Sequence, residues 1–284
     1  MLLLEFFEQV YKRLNDLDSS TEDVNRRIIR GLYLWAGKPI SLGELSPKLF
    51  NEWLHDRKQS GRAPHTIASQ AALIKAIWRR AAEAGLAQRF ESRELRRVKT
   101  PELMHHGWTF EEITKKLLPA CKSKRRFQHA LGCRGCDWWE LYIRLAWDTG
   151  FRVDQLVNYL RRDAIIGCRA CVIQVKSRRM HSRPLADSTL ALLDAFLPRE
   201  RSFVLPSNCT RRNLSQQFKG IVRAAGLTGS LKTLRKSSGS AVEKVFSGFG
   251  HRHLGNTQKV FDSNYRIHSI ADSFCPSPPE LKLA

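Results

Sequence analysis

Basic side chains and two aromatic residues recur in short motifs along the second half of the sequence, in an order that points to one site. The residues are Arg152, Lys176, Lys232, Arg235, His251, Phe261 and Tyr265. Guanidinium and ammonium groups hold phosphate oxygens through charge-assisted hydrogen bonds. These residue types are therefore candidates for a site that binds an anion.

The local spacing of these residues places several of them on predicted elements. Arg152 follows Gly150, a glycine that breaks one predicted helix before the next begins. Lys176 lies on a predicted hairpin with a basic turn. Lys232 and Arg235 are three residues apart, which places them on one face of a helix.

A helical domain is expected at 1–104. Apolar residues at three- and four-residue spacing predict helices at about 21–35, 41–56 and 66–84. The polar, basic stretch 93–101 ends in a proline and is predicted to be a linker.

A second domain with a C-terminal tail is expected at 105–284. Thr109 and Glu112 have the spacing of a capping box, which predicts the start of a new helix. The residues that follow favour helices and one hairpin of two short strands, at 172–175 and 182–185. The expected fold class is therefore mainly α with a small β-sheet. The later helices are predicted at 138–149, 153–161, 188–196, 213–225, 236–246 and from 257 onward.

The charge of the chain indicates its class of partner. The 284 residues include 48 Lys+Arg and 27 Asp+Glu, a formal net charge of +21. Nucleic acid is the commonest partner that offsets the self-repulsion of such a surplus, through phosphate neutralisation and counterion release. Hydrophobic residues make up 42%, which excludes wholesale disorder. We recognise no signal peptide and no apolar run near the roughly 20 residues that span a bilayer, so we expect a cytoplasmic, nucleoid-associated protein without membrane contact.

The motif order resembles that of the catalytic domain of the tyrosine recombinases, the phage-integrase family. Members carry Thr-Gly-Leu-Arg, a hairpin lysine, His-x-x-Arg, Leu-Gly-His and then a tyrosine nucleophile. This chain has Thr-Gly-Phe-Arg152, the hairpin lysine Lys176, Lys-Thr-Leu-Arg235 and Gly-His251 in the same order. The first domain is similar to the family's helical, SAM-like core-binding domain in Thr66-Ile-Ala and in Trp78-Arg-Arg-Ala-Ala-Glu-Ala-Gly-Leu.

The resemblance implies an activity. It implies a site-specific DNA recombinase, or integrase, that cleaves and rejoins DNA through a 3′-phosphotyrosine intermediate and needs no cofactor for catalysis. The implied partner is double-stranded DNA with a specific recombination site. The implied working unit is a homo-tetramer on paired sites.

The resemblance also implies a role for each basic residue. Arg152 and Arg235 would hold the non-bridging oxygens of the scissile phosphate, and His251 would donate a hydrogen bond to it. Lys176 would protonate the departing 5′ oxygen. Lys232 stands where the family has histidine, a position at which lysine is a known variant.

The nucleophile position departs from the family pattern. Phe261 lies ten residues after His251, where the family carries its tyrosine, and phenylalanine has no hydroxyl. Three interpretations follow: an engineered Tyr-to-Phe change that traps an inactive form, a natural loss of cleavage, or Tyr265 as the nucleophile. The spacing favours Phe261 as the nucleophile position.

Two C-x-x-C pairs raise the question of a metal. Cys133 with Cys136 and Cys168 with Cys171 supply the ligand count of a tetrahedral structural zinc. Reduced thiols are the main alternative, and disulfides are less favoured because nothing indicates secretion.

Further residues are candidate DNA contacts because of their charge or because they could face a groove. They are Thr66, Gln70, Arg79, Arg80, Arg96, Arg97, Lys99, Lys124, Arg178 and Arg179. Three other functions stay open at this point: a non-catalytic DNA-binding protein on the same fold, a type IB topoisomerase, and a zinc-stapled RNA-binding protein.

Overall fold

The computed structural model describes residues 1–101, 105–124, 126–128, 133–173, 179–196, 202–205 and 208–267. The chain divides into two compact units, Met1–Leu103 and Met104–Ala284. Two candidate residues, Lys176 and Arg178, fall outside the described residues.

The first unit is helical throughout its regular structure. A π-helical turn, Phe7–Tyr11, joins its first two helices, and short 3-10 turns lie at Leu42–Glu44 and Ser92–Glu94. The α-helices are α1 (Leu3–Phe6), α2 (Lys12–Leu14), α3 (Ser19–Ala36), α4 (Pro47–Gln59) and α5 (Pro64–Glu83).

Capping residues explain where these helices begin and end. The Asp18 carboxylate accepts a hydrogen bond from the backbone N–H of Thr21 at 2.7 Å, so α3 begins two residues before the predicted start. Gly37 ends α3 with a φ of 70°, a conformation that glycine adopts without steric cost. Ser46 caps α4 in the same way as Asp18 caps α3, with Pro47 at the first helical position.

Aromatic residues fill the core of the first unit. Trp53 and Trp78 are fully buried and both pack against Phe50. The indole N–H of Trp78 donates to the carbonyl of Gln88 at 2.8 Å, which holds the chain after α5 against the helices.

The second unit combines helices with two small antiparallel sheets. π-Helical turns at Ile113–Leu117 and Gln155–Tyr159 extend helical segments, and a 3-10 turn lies at Arg162–Ala164. The helices are α6 (Phe110–Glu112), α7 (Leu118–Cys121), α8 (Gly135–Thr149), α9 (Asp187–Phe196), α10 (Arg211–Ala224), α11 (Leu231–Val245), α12 (Gly250–Leu254) and α13 (Gln258–Asn264). The strands are β1 (Phe127–Gln128), β2 (Cys133–Arg134), β3 (Ile165–Ile166), β4 (Arg169–Ile173) and β5 (Met180–Pro184).

The larger sheet contains the predicted hairpin. β4 pairs with β3 on one side and with β5 on the other, both antiparallel. Ala170 pairs with Arg183, and Val172 with His181, so the two ends of the hairpin are in register. Thr109 and Glu112 form the predicted capping box at the start of α6.

A second aromatic core holds this unit together around α8 and α10. Trp138, Trp139 and Tyr142 of α8 are buried, and Trp139 and Tyr142 pack against Phe218 of α10. The indole of Trp108, also fully buried, packs on the same phenylalanine and donates to the carbonyl of Thr228 at 2.9 Å. The core fixes α8, which ends at the glycine break before Arg152.

The predicted fold class is confirmed: the chain is mainly α with a small sheet in its second unit. None of the helices in the described ranges is long and apolar enough to cross a membrane.

Replacing Trp53 with alanine is expected to lower the free energy of unfolding of the first unit by about 3–5 kcal/mol, because a fully buried indole leaves a large cavity. Urea unfolding followed by circular dichroism measures the change. Leu34 in α3 is 83% exposed, and its replacement by alanine is the matched control, with a change within about 0.5 kcal/mol. Equal effects of the two substitutions would contradict this core.

Candidate functional site

Arg235 is the buried centre of the site. It lies on α11 with only 4% of its surface exposed. Its guanidinium donates to the carbonyl of Gly150 and, at 2.6 Å, to the carbonyl of Leu254. Gly150 ends α8 and Leu254 is the last residue of α12, so the cation lies at the C-terminal ends of two helices, where the partial charge is negative.

The charge of Arg235 is not neutralised by an acid. Across the described ranges, it forms no ion pair with a carboxylate, and its Nε is buried without a hydrogen-bond partner. Burial, followed by the charge of Arg152, lowers the pKa of Arg235 to about 10. A buried, uncompensated cation of this kind is arranged to receive an anion.

Arg152 is the second cation and is exposed. It follows the left-handed Gly150, and its backbone N–H donates to the Gln155 side chain at 2.8 Å, which starts the next helical turn. Its guanidinium donates to the Asn256 side-chain oxygen at 3.3 Å. The charge of Arg152 lowers the pKa of both Arg235 and Tyr265, so these groups share one electrostatic site.

Tyr265 lies directly against the cations. Its ring centroid is 5.1 Å from the Arg235 guanidinium carbon and 5.2 Å from the Lys232 ammonium nitrogen. Burial raises the pKa of the Tyr265 phenol, but the charge of Arg235, its hydrogen bond to the phenol oxygen, Arg152 and Lys232 lower it by more. The phenol pKa therefore lies below its ordinary value, which is the shift that a phenolate nucleophile requires.

Phe261, the residue that the spacing favoured, has a packing role. Its side chain is fully buried in a small cluster with Leu254 and Tyr265. A Cβ placed on Gly250 would lie 2.6 Å from the Phe261 ring, so the ring packs against the backbone at the start of α12. The hydroxyl next to the arginines belongs to Tyr265, one helical turn later.

The two histidines of α12 have different environments. His253 is half-buried, and its Nε2 lies 2.7 Å from the Ser238 hydroxyl. Burial and the neighbouring arginines Arg183 and Arg235 lower the pKa of His253 to about 3, so its imidazole is neutral. His251, the predicted site residue, is partly exposed and has a buried Nδ1 without a partner in the described part of the chain.

A carboxylate holds the start of α12. The side chain of Glu243, which is buried, accepts hydrogen bonds from the backbone N–H groups of Gly248 and Gly250 at 3.0 and 2.8 Å. These bonds satisfy donors at a helix N-terminus and fix the position of the adjacent His251. No motif in the sequence points to Glu243.

Two further residues come from β5 and were also missed. Arg183 donates to the carbonyl of His253 at 2.7 Å, which joins the hairpin to α12. The ring of His181 lies against Gly255, where a Cβ would be 1.6 Å from its Cε1. Burial and the charges of nearby arginines, first Arg183, lower the pKa of His181. His181 and Arg183 are two residues apart on one strand, so their side chains lie on the same face of it. That spacing is the signal by which the sequence could have identified them.

Most candidate DNA contacts in the first unit are exposed cations. Thr66, Arg79, Arg80, Arg96, Arg97 and Lys99 are exposed, whereas Gln70 is partly buried. The linker cations line a cavity of about 300 Å³ beside α4 and α5. The basic residues around that cavity are Lys58, Arg62, Arg96, Arg97 and Lys99. In the second unit Arg179 is exposed and Lys124 is partly buried.

The four cysteines of the C-x-x-C pairs form no disulfide within the described residues. Cys136 lies beside the Asp137 carboxylate and Cys171 beside the Ser182 hydroxyl. No group of three or more His, Cys, Asp or Glu side chains in the described ranges is arranged to hold a metal ion. The structure gives the zinc site no support.

The fold matches that of solved integrase structures. No protein-family model and no curated protein matches the sequence. A solved structure of lambda integrase, residues 75–356, bound to DNA has a TM-score of 0.72 and 20% identity, and covers 98% of this chain and 100% of that one.

Two other solved structures have the same fold. A lambda integrase tetramer bound to a Holliday junction has a TM-score of 0.69 and 20% identity, with 91% of this chain and 78% of that chain covered. The Tn1549 transposon integrase, residues 82–397, in complex with circular intermediate DNA has a TM-score of 0.65 and 14% identity, with 96% and 97% covered.

The environment of Tyr265 predicts an altered titration. The difference in tyrosinate absorbance between the unsubstituted chain and Tyr265→Phe should show a phenol that ionises below the ordinary value of 10.0. Lys232→Gln should move that pKa upward, because a cation that favours the phenolate is lost. Lys259→Gln removes an exposed lysine on α13 and should leave the titration unchanged. A Tyr265 pKa at or above 10.0 in the unsubstituted chain would contradict the described geometry.

Proposed function

We propose that the chain is a site-specific DNA recombinase that cleaves and rejoins DNA through a 3′-phosphotyrosine intermediate, with Tyr265 as its nucleophile. The observation that carries this proposal is the contact of the Tyr265 phenol with the buried, uncompensated guanidinium of Arg235. A phosphodiester would supply the negative charge that this pair of groups lacks.

Double-stranded DNA is the proposed substrate. The net charge of +21 and the exposed cations of the first unit favour a polyanion. Lambda integrase and the Tn1549 integrase have the same fold and were solved on DNA, which supports this class of partner. We propose that Arg96, Arg97 and Lys99 contact the phosphate backbone of the DNA. Such contacts fix the position of the protein along the duplex but do not recognise its base sequence.

In the proposed cleavage step, each of a few side chains has one chemical role. The Tyr265 phenolate, formed by loss of its proton to water, attacks the scissile phosphorus, and the bond between phosphorus and the 5′ oxygen breaks. Arg152 and Arg235 hold the non-bridging oxygens as charge develops on them. Lys176 is proposed to give the departing 5′ oxygen its proton, and His251 to donate a hydrogen bond to the phosphate. Rejoining reverses these transfers.

Tyr265 replaces Phe261 in this mechanism. Both rings are buried, but only Tyr265 carries a hydroxyl, and its ring lies against Arg235 and Lys232. Lys232 occupies the side of the ring where it stabilises the phenolate, so its proposed role is electrostatic. With Tyr265 as nucleophile the chain has a hydroxyl for the attack as it stands. The interpretation of Phe261 as an engineered Tyr-to-Phe change that traps an inactive form is then not needed.

A homo-tetramer on paired recombination sites is the proposed working unit. Lambda integrase, which has the same fold, was solved as a tetramer bound to a Holliday junction. Exchange of strands between two duplexes requires cleavage of four strands, and one Tyr265 in each of four protomers would supply the four nucleophiles.

Covalent trapping with variants tests the proposal. The protein is incubated with nicked duplexes from DNA that flanks its gene, and adducts that resist SDS are measured. The unsubstituted chain should form an adduct, Tyr265→Phe should form none, and Phe261→Leu should retain it because that residue only packs. Arg235→Lys should lower the rate by about 10²–10³-fold, since it removes a donor to the developing charge.

Other outcomes identify the alternatives. An adduct that persists in Tyr265→Phe would contradict the proposed nucleophile. Tight DNA binding without an adduct in any variant, on the duplex that the protein binds most tightly, would favour a non-catalytic DNA-binding protein. Relaxation of any supercoiled plasmid by a monomer, without joining of two duplexes, would favour a topoisomerase.

A further inference from the structure

We propose that residues 105–108, named here the entry strap, position Tyr265 for attack by holding the chain on both sides of it. This inference rests on the proposed function, because it concerns the nucleophile of that reaction. The entry strap precedes α6 in the chain, and its contacts reach α11 and the segment 263–267.

His105 makes the contact on the N-terminal side of Tyr265. Its Nε2 lies 2.8 Å from the carbonyl oxygen of Ser263, and its Nδ1 lies 2.8 Å from the ammonium nitrogen of Lys236. Because a carbonyl only accepts, Nε2 carries the proton, and Nδ1 accepts from Lys236. One imidazole therefore joins α13 to α11 two residues before the nucleophile.

Gly107 makes the contact on the C-terminal side. A Cβ on Gly107 would lie 1.8 Å from Cδ1 of Ile267, so only glycine lets that side chain pack against the entry strap. Ile267 is 2% exposed, and its backbone N–H donates to the Ser240 hydroxyl at 2.9 Å. The same hydroxyl lies 3.3 Å from the carbonyl oxygen of Tyr265 and donates to it. The chain after Tyr265 is thus fixed to α11 by Ser240 and covered by the entry strap.

The entry strap is itself attached to α11. The backbone N–H of Trp108 donates to the Ser237 hydroxyl at 2.8 Å, and the Trp108 indole is fully buried. Arg235 lies on the same helix, so the phosphate-binding cation and the two attachments of the nucleophile segment share one rigid element. A displacement of about 1 Å in such a site lowers the rate on the order of 10²-fold, so these contacts are expected to matter for cleavage.

Tyr265 needs this support because it lies outside regular structure. It follows the last residue of α13 as its C-cap, with φ of −130°. α13 is only seven residues long, a length that is marginal without tertiary contacts. The bonds from His105 and the packing at Gly107 supply such contacts from outside the helix.

Two variants and a matched control test the entry strap. His105→Ala removes both bonds, His105→Gln retains a donor and an acceptor on one side chain, and His106→Ala removes an exposed neighbour. Hydrogen exchange of the peptide that contains the Tyr265, Arg266 and Ile267 amides is measured without DNA. Binding and adduct formation on a nicked duplex are measured in parallel.

In His105→Ala, exchange in the peptide should rise about tenfold, with exchange in α8 unchanged. Adduct formation should fall about 10–100-fold with DNA affinity unchanged. His105→Gln should return both values to within about threefold of the unsubstituted chain, and His106→Ala should match that chain.

Two results would overturn the inference: unchanged exchange in His105→Ala, or faster exchange with an unchanged rate of adduct formation. Absence of an adduct in the unsubstituted chain would count against the proposed function instead. In that case the exchange data alone decide whether the entry strap holds the segment around Tyr265.

Discussion

A guanidinium that is buried and has no carboxylate partner among the described residues is the constraint on which the second unit depends. Taking the charge of Arg235 out of water costs several kcal/mol, at the order-of-magnitude level, unless other groups solvate it. The carbonyls of Gly150 and Leu254 do so, which requires that α8 and α12 end at the same point in space. The positions of two helix ends are therefore tied to one side chain of α11.

Small residues let these elements approach closely enough. A Cβ on Gly239 in α11 would lie 2.7 Å from Cδ1 of Leu254, and one on Gly250 would lie 2.7 Å from the carbonyl oxygen of Gly239. These two glycines allow α12 to lie directly on α11. The carbonyl of Leu254 is then within reach of Arg235, and Phe261 fills the space beneath Tyr265. Packing and electrostatics thus support the same placement of the phenol.

The sequence predicts the secondary-structure elements of this site better than it predicts their arrangement in space. The capping box at Thr109, the glycine break at Gly150 and the pairing of Lys232 with Arg235 are local patterns, and local patterns can be read from spacing. Which of the two aromatic residues, Phe261 or Tyr265, lies in the site is not determined by a local pattern. Phe261 and Tyr265 are both aromatic, both buried and four residues apart, so they share a helical face. Only the tertiary position of α13 and its C-cap decides which of the two rings lies against Arg235.

Other site residues were beyond sequence reasoning for a related reason. Glu243 and His105 contribute by reaching backbone groups that are distant in the chain or exposed by a helix end. A backbone partner leaves no signature in side-chain types. The C-x-x-C pairs are the opposite case. Their local spacing is a strong metal-binding pattern, but the described residues contain no arrangement of side chains that could hold a metal ion.

Mapping the covalent attachment is the most direct test of the central claim. The trapped protein–DNA adduct is digested with nuclease and protease, and mass spectrometry locates the peptide that carries the residual nucleotide. We expect attachment to the Tyr265 oxygen in the peptide that spans α13 and its C-cap. Attachment to another residue, such as the half-exposed Tyr159, would contradict the assignment of the nucleophile and of the site around Arg235.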